Sequence, residues 1–98
     1  MEKVYVAELM RITKWDSGKV FAHSLSSGFT SIDDAKKWIK DAIHSDMEGV
    51  YGYMMRLLDG SDEAVENAEV GKWYPYAHSR KGPYKHARYT YSITERCI

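Results

Sequence analysis

The run KVYVAELMRITKW, residues 3–15, is rich in β-branched and aromatic residues and predicts a long strand. Asp16-Ser17-Gly18 supplies turn chemistry, because glycine takes positive φ without a steric penalty. KVFAHSL, residues 19–25, predicts the returning strand of a hairpin. From residue 31 to 44 the period lengthens to that of a helix. Ile32, Ala35, Trp38, Ile39, Ala42 and Ile43 form one apolar stripe, with Lys36, Lys37, Lys40 and Asp41 on the other side. Ser31 is placed to accept a hydrogen bond from a free backbone N–H, and Asp33 and Asp34 suit the positive end of the helix dipole. A membrane-surface helix is the alternative, but Trp38 is more simply a core anchor against a sheet.

YGYMMRLLD, residues 51–59, predicts a third strand, with Tyr51, Tyr53, Met55 and Leu57 on one face and Met54, Arg56 and Leu58 on the other. Two largely apolar faces predict a central strand. Residues 61–71 are acidic and rich in helix formers, giving either a short helix capped by Ser61 or an acidic loop. Tyr74–His78 and Tyr84–Thr94 predict two more strands around a hairpin tip, SRKGP. Pro75 places the fourth strand at an edge or gives it an irregular start. A hairpin centred on Lys81 sets His78 opposite Tyr84 and His86 opposite Tyr76. The expected fold is a single α+β domain over residues 1–98. Its mainly antiparallel sheet has four to five strands with one amphipathic helix packed on one face, in the order β-β-α-β-(α)-β-β. The other face is left to solvent, to the acidic segment, or to a partner.

Hydrophobic residues make up 44% of the 98 positions and charged residues 29%, which suits one folded domain rather than a disordered chain. No apolar run is long enough to span a membrane, and MEKVYVAELMR has no secretory-signal pattern. A single cysteine, Cys97, allows no intrachain disulfide, and cytoplasmic residence is the default expectation. The zero net charge conceals an uneven distribution. Residues 1–71 hold eight Lys/Arg and thirteen Asp/Glu, whereas residues 72–98 hold six Lys/Arg and one Glu. Either the two halves attract each other within the fold, or the surface is dipolar and orients a charged partner.

The residues give little support to catalysis. Cys97 is next to the C-terminal residue, and the glycines match no dinucleotide or Walker pattern. No serine sits in a nucleophile elbow. The carboxylates of DGSDEAVENAE lack the order of an EF-hand loop and read as a solvated acidic face. His23, His44, His78 and His86 share no metal-ligand spacing with one another or with Cys97. No catalytic residue, metal site or cofactor is expected.

The stretch WYPYAHSRKGPYKHARYTY, residues 73–91, holds six of the thirteen aromatic residues and no carboxylate. Strand alternation accounts for part of it, with Ala87, Tyr89, Tyr91 and Ile93 on a core face and His86, Arg88, Thr90 and Ser92 on a wet one. Trp73, Tyr74, Tyr76 and Tyr84 exceed what one helix can cover. Two functions compete for the remainder. Rings and cations serve single-stranded nucleic acid, but alternation limits how many cations face one way, and the pI near 6.9 is low for that role. Tyr, Trp and Arg also dominate protein interfaces.

The expectation is a small non-catalytic protein-binding module that occludes or modulates a site on a larger protein or complex, such as an acidic groove. Trp73, Tyr74, Tyr76, Tyr84 and Tyr89 supply contact area, and Arg80, Lys81, Lys85 and Arg88 supply orientation. Homodimerisation through the edge of the Tyr74–His78 strand is a further option, nucleic acid is the second choice of partner, and no membrane is expected. In texture the chain is similar to small inhibitors encoded by phages and other mobile elements, a likeness that no motif carries.

Overall fold

The computed structural model describes residues 2–48, 55–79 and 86–98, with residue 86 described by its backbone alone. Five strands and two helices follow one another: β1 (Lys3–Lys14), β2 (Val20–Phe29), α1 (Ile32–Met47), β3 (Met55–Leu57), α2 (Ser61–Glu66), β4 (Trp73–Ser79) and β5 (His86–Cys97). The sheet is antiparallel throughout, in the spatial order β2-β1-β5-β4-β3. The expected α+β architecture is therefore present, and residues 61–66 are helix rather than loop.

The β1–β2 hairpin closes as the turn chemistry requires. Trp15 N–H donates to Lys19 O at 2.8 Å, Gly18 N–H donates to Trp15 O at 2.9 Å, and Gly18 takes φ +89°. A left-handed residue at that position lets a three-residue loop rejoin the ladder without splaying the strands. The returning strand continues to Phe29, beyond the Leu25 end expected from composition, because its pairing with β1 persists as far as Tyr5–Phe29. Ser24, Ser26, Ser27 and Gly28 have little strand preference of their own, so the partner strand imposes the conformation.

Helix α1 begins as anticipated, with Asp34 N–H donating to Ser31 Oγ at 3.4 Å. Its stripe packs on the sheet: Ala35, Ile39 and Ile43 are buried, and Ile32, Trp38 and Ala42 lie against the core. Helix α2 joins the same layer through buried Val65, with Ala68 just beyond it. Gly60, at φ +73°, occupies the capping position, and Ser61 is its first helical residue. The acidic segment thus lies beside α1 and leaves the opposite sheet face alone.

Three strand expectations are corrected. β4 lies between β5 and β3, so the Tyr74–His78 strand is not the sheet edge expected to serve homodimerisation. β3 is an edge strand, not a central one: it pairs only with β4, over Met55–Ser79 to Leu57–Ala77. Its apolar inner residues, Met55 and Leu57, face the core while Arg56 is exposed on the other face, so two-sided burial is not what makes it apolar. Residues 51–54 of the expected strand lie outside the described residues. The β4–β5 register is also different, with His78 opposite Arg88 and Tyr74 opposite Tyr91. His86 of β5 stands opposite Lys14 of β1. The register already differs by four residues at His78, and the β-bulge between Pro75 and Ala77, the irregularity that Pro75 foreshadowed, then changes it by one residue.

The core lies between the sheet and the helices. Ala7 and Leu9 from β1 meet Ala87, Tyr89, Tyr91 and Ile93 from β5 and Tyr76 and Ala77 from β4. Tyr91 packs edge-on to Tyr76 and stacks on Tyr74 at 5.6 Å between centroids. Its hydroxyl is buried with no hydrogen-bond partner among the described residues. Burial first, and then the neighbouring Tyr74, push its pKa up to about 12. An orphaned buried hydroxyl costs about 1–3 kcal/mol. Tyr91→Phe is therefore expected to raise stability by about 1 kcal/mol in urea unfolding, and a loss of stability would show that the hydroxyl has a partner.

Candidate partner-binding surface

Strand alternation and the bulge decide where each aromatic residue goes. In regular β4 pairing, Tyr74 faces the helices, Pro75 faces away, and the next inward residue would be Tyr76. The bulge adds one residue, so that Tyr76 and Ala77 are both buried on the helix side. Tyr76 reaches α1 and α2 together. Its hydroxyl donates to the Asp62 carboxylate, and His44 Nε2 lies 3.1 Å from both that hydroxyl and Asp62 Oδ1. The Tyr76 bond, followed by the His44 contact, lowers the Asp62 pKa, while burial and the Asp62 carboxylate raise that of Tyr76. A second tie joins β1, β5 and the end of α1, where Tyr89 donates to Asp46 and Arg11 Nη1 lies 2.7 Å from the same carboxylate oxygen. On the outer side of the layer, Lys40 of α1 pairs with Glu66 of α2, which raises the lysine's pKa and lowers the glutamate's. These contacts fasten the helices to the sheet.

Accordingly, Tyr76 and Tyr89, both fully buried, belong to the core and offer no area to a partner. This corrects the expectation for those two residues, whose hydroxyls find carboxylates on the helices rather than solvent. Tyr74 is half-buried on the same side; its ring stacks on Tyr91 and its hydroxyl accepts a bond from Glu69 N–H at 2.9 Å. Arg80, Lys81, Tyr84 and Lys85 lie outside the described residues. Trp73 and Arg88 point the other way, onto the sheet face that no described helix covers, and both are exposed, Trp73 to 49%.

That open face has a definite composition. Directly opposed residues form rows across the strands. One row runs Ser26, Glu8, Ser92, Trp73; the next Ser24, Met10, Thr90, Pro75; the next Ala22, Ile12, Arg88, His78, Arg56. Ser92 is buried although no helix reaches it, between Trp73 on one side and Glu8 on the other. Among the described residues, the charged ones of this face are Lys14, Arg56, Arg88 and Arg96, against the single carboxylate of Glu8. The helix layer is opposite in sign: residues 31–48 and 59–72 carry ten carboxylates and four lysines. The two fields that composition assigned to sequence halves become two faces of one sheet.

A second exposed apolar group lies where the β1–β2 hairpin turns. Trp15 and Phe21 meet edge to face at 6.3 Å, Lys19 Nζ sits 4.9 Å from the Phe21 ring centre, and Val20 and Leu25 are exposed nearby. A groove of about 360 Å³ is lined there by Arg11, Thr13, Trp15, Phe21, Ala22 and His23. Reasoning from the sequence missed this group. The strand pattern of residues 12–25 was legible, but the short reach of α1 along the sheet was not.

Among the described residues no group of three or more His, Cys, Asp or Glu side chains is arranged to hold a metal ion, and no helix is long and apolar enough to cross a membrane. No family model, curated protein or solved structure matches this chain.

Two predictions separate the faces. Tyr76→Ala is expected to cost about 3–5 kcal/mol in urea unfolding, as for other large buried aromatics, and Trp73→Ala less than about 1 kcal/mol. The Asp62 carboxyl titrates below its unfolded value. Its stabilisation is therefore complete above about pH 4 and disappears as pH falls through the lower folded pKa. Asp62→Asn should flatten that acid limb in a stability–pH profile, and an unchanged limb would show that the Tyr76 contact does not set it.

Proposed function

We propose that this chain is a small non-catalytic binding module whose uncovered sheet face docks on a larger protein and occludes or modulates a site there. The observation that carries the proposal is Trp73, half-exposed on a face whose charged residues are four cations and one carboxylate. A large ring removes much area from water at low entropic cost, which makes it an anchor; Pro75 lies next to it on β4, and Met10 and Ile12 add apolar ground on β1, across β5 on the same face. Arg88, Arg56 and Arg96 orient the approach to an acidic groove, while the acidic helix layer turns away from it. Arg80, Lys81, Tyr84 and Lys85, in the segment joining β4 to β5, remain part of the proposed contact set.

Single-stranded nucleic acid is a second reading, favoured by the cations of this face. Among the described side chains only Trp73 and the smaller imidazole of His78 are rings on this face, and Ile12 and Met10 cannot stack on bases, so the protein reading is the stronger. With a partner captured from the native host, Arg88→Glu should slow association and weaken its salt dependence, and Trp73→Ala should speed dissociation. Equal binding by wild type and both variants would remove this face from the proposal. Micromolar binding to mixed single-stranded oligonucleotides that falls steeply with salt would move nucleic acid to first place.

A further inference from the structure

The sheet has two edges among the described residues. β3, at one of them, is described over Met55–Leu57. β2, at the other, is ten residues long, and no described strand pairs with its outer side. Sheet edges are ordinarily guarded by lysine, proline, a bulge or an inward-pointing charge. VFAHSLSSGF contains no Lys, Arg, Asp, Glu or Pro, and its pairing with β1 runs without a break from Val20 to Phe29. Every residue from Val20 to Ser26 is exposed.

The ladder shows which backbone groups this edge presents. Trp15 N–H bonds to Lys19 O, so the odd-numbered residues of β1 exchange bonds with β2. Ile98 N–H bonds to Glu2 O, which assigns the even-numbered residues of β1 to β5 and agrees with that phase. Phe21, His23, Leu25, Ser27 and Phe29 therefore direct their N–H and C=O groups inward. Val20, Ala22, Ser24, Ser26 and Gly28 direct theirs outward.

We infer that β2 pairs with β2 of a second copy of this chain, antiparallel about a two-fold axis at Ser24, making one continuous ten-stranded sheet. This register uses every outward group. Ser24 stands opposite Ser24 of the second copy, Ala22 opposite its Ser26, and Val20 opposite its Gly28. A shift of two residues in either direction strands one outward residue of each copy. The axis stands perpendicular to the sheet, so the helix layers of both copies lie on the same side. On that side Phe21 comes opposite Ser27 of the second copy and within diagonal reach of its Leu25. The exposed Phe21 and Leu25 thereby gain apolar neighbours. The strand itself brings no like charges together, since His23 is its one ionisable residue and stands opposite Leu25 of the second copy. A two-fold contact made by one patch with itself is the commonest way for soluble chains to assemble. The open face with Trp73 stays clear of the junction, since Trp73 lies three strands away.

Sedimentation equilibrium from micromolar to near-millimolar protein tests the pairing. Wild type is expected to reach a dimer. Ser24→Lys and Ser24→Glu should each be monomeric, because like charges meet at the axis, and an equimolar mixture of the two should recover the dimer. Far-UV circular dichroism checks that both variants are folded. Amide exchange supplies a readout without substitution: the N–H groups of Ala22, Ser24 and Ser26 should become protected as concentration rises. A wild type that stays monomeric throughout, or a Ser24→Lys variant that still dimerises, would overturn the inference. A monomer whose β2 amides become protected only on adding a captured partner would do so as well, and would assign the edge to a foreign strand.

Discussion

The arrangement of this protein depends on the pairing of its first strand with its last. Twelve residues of β1, Lys3–Lys14, match twelve of β5, His86–Cys97, without a shift. Side chains alternate with period two, so a slip of one residue would send Tyr89, Tyr91 and Ile93 to the open face and bring Arg88 and Thr90 under the helices. The cost of such a slip is the core itself. No local turn fixes this register, because the two strands lie far apart in sequence. It is held by burial on one side and by the Arg11–Asp46–Tyr89 tie, which spans β1, α1 and β5. A sheet organised around its most distant strands also folds slowly, since loop closure must precede the contacts that reward it.

The same register turns a charge gradient along the chain into a charge difference across it. The acidic residues of 31–48 and 59–72 lie in the helix layer, and Lys14, Arg56, Arg88 and Arg96 fall on strand positions that alternation directs to the open face, whereas Arg11 lies on the helix side and meets Asp46 there. The halves do not simply neutralise each other. Lys40 and Glu66, both in the helix layer, form one of the local pairs, and Lys3 with Glu95 forms another at the sheet end. Arg56, Arg88 and Arg96 make no ion pair with any described residue. A field of one sign survives on the sheet face because the neutralising carboxylates are a layer away.

Much of this was legible in the sequence wherever a local rule and the tertiary fold agree. The stripe Ala35, Ile39, Ile43 under a Ser31 cap, the turn at Gly18, and the alternation of Ala87, Tyr89, Tyr91 and Ile93 against Arg88 all read directly. What could not be read depends on partners distant in sequence. Tyr76 is core because alternation from Tyr74 turns it towards the helices and because Asp62 and His44 wait there for its hydroxyl, partners that WYPYAHS does not contain. β3 looks two-sided by composition, yet its place in the sheet is set by which neighbour β5 prefers. The tail of β2 has weak strand preference and is strand only because β1 continues beside it. Residues 73–91 were read as one contact set, yet the structure turns Trp73 and Arg88 outward and Tyr76 and Tyr89 inward, since aromatic density does not state orientation.

Exposure in this molecule follows from the limited reach of a single main helix. Sixteen residues of α1 span about 24 Å at the usual helical rise, whereas twelve-residue strands span about 40 Å. Starting beside Phe29 and ending beside Arg11 and Tyr89, α1 crosses from β2 towards β5, and it cannot also cover Trp15 and Phe21 at the other end of β2 or Leu25 in its middle. The sheet is thus sealed on one side for part of its length only. Its opposite face and its β2 edge are left with groups that folding does not satisfy: a tryptophan with cations on the face, and unpaired backbone with apolar side chains on the edge. On the two proposed readings they take different partners. A charged face discriminates by field and selects a surface of opposite sign, whereas an uncharged strand edge discriminates by register and is best matched by a strand of the same pattern.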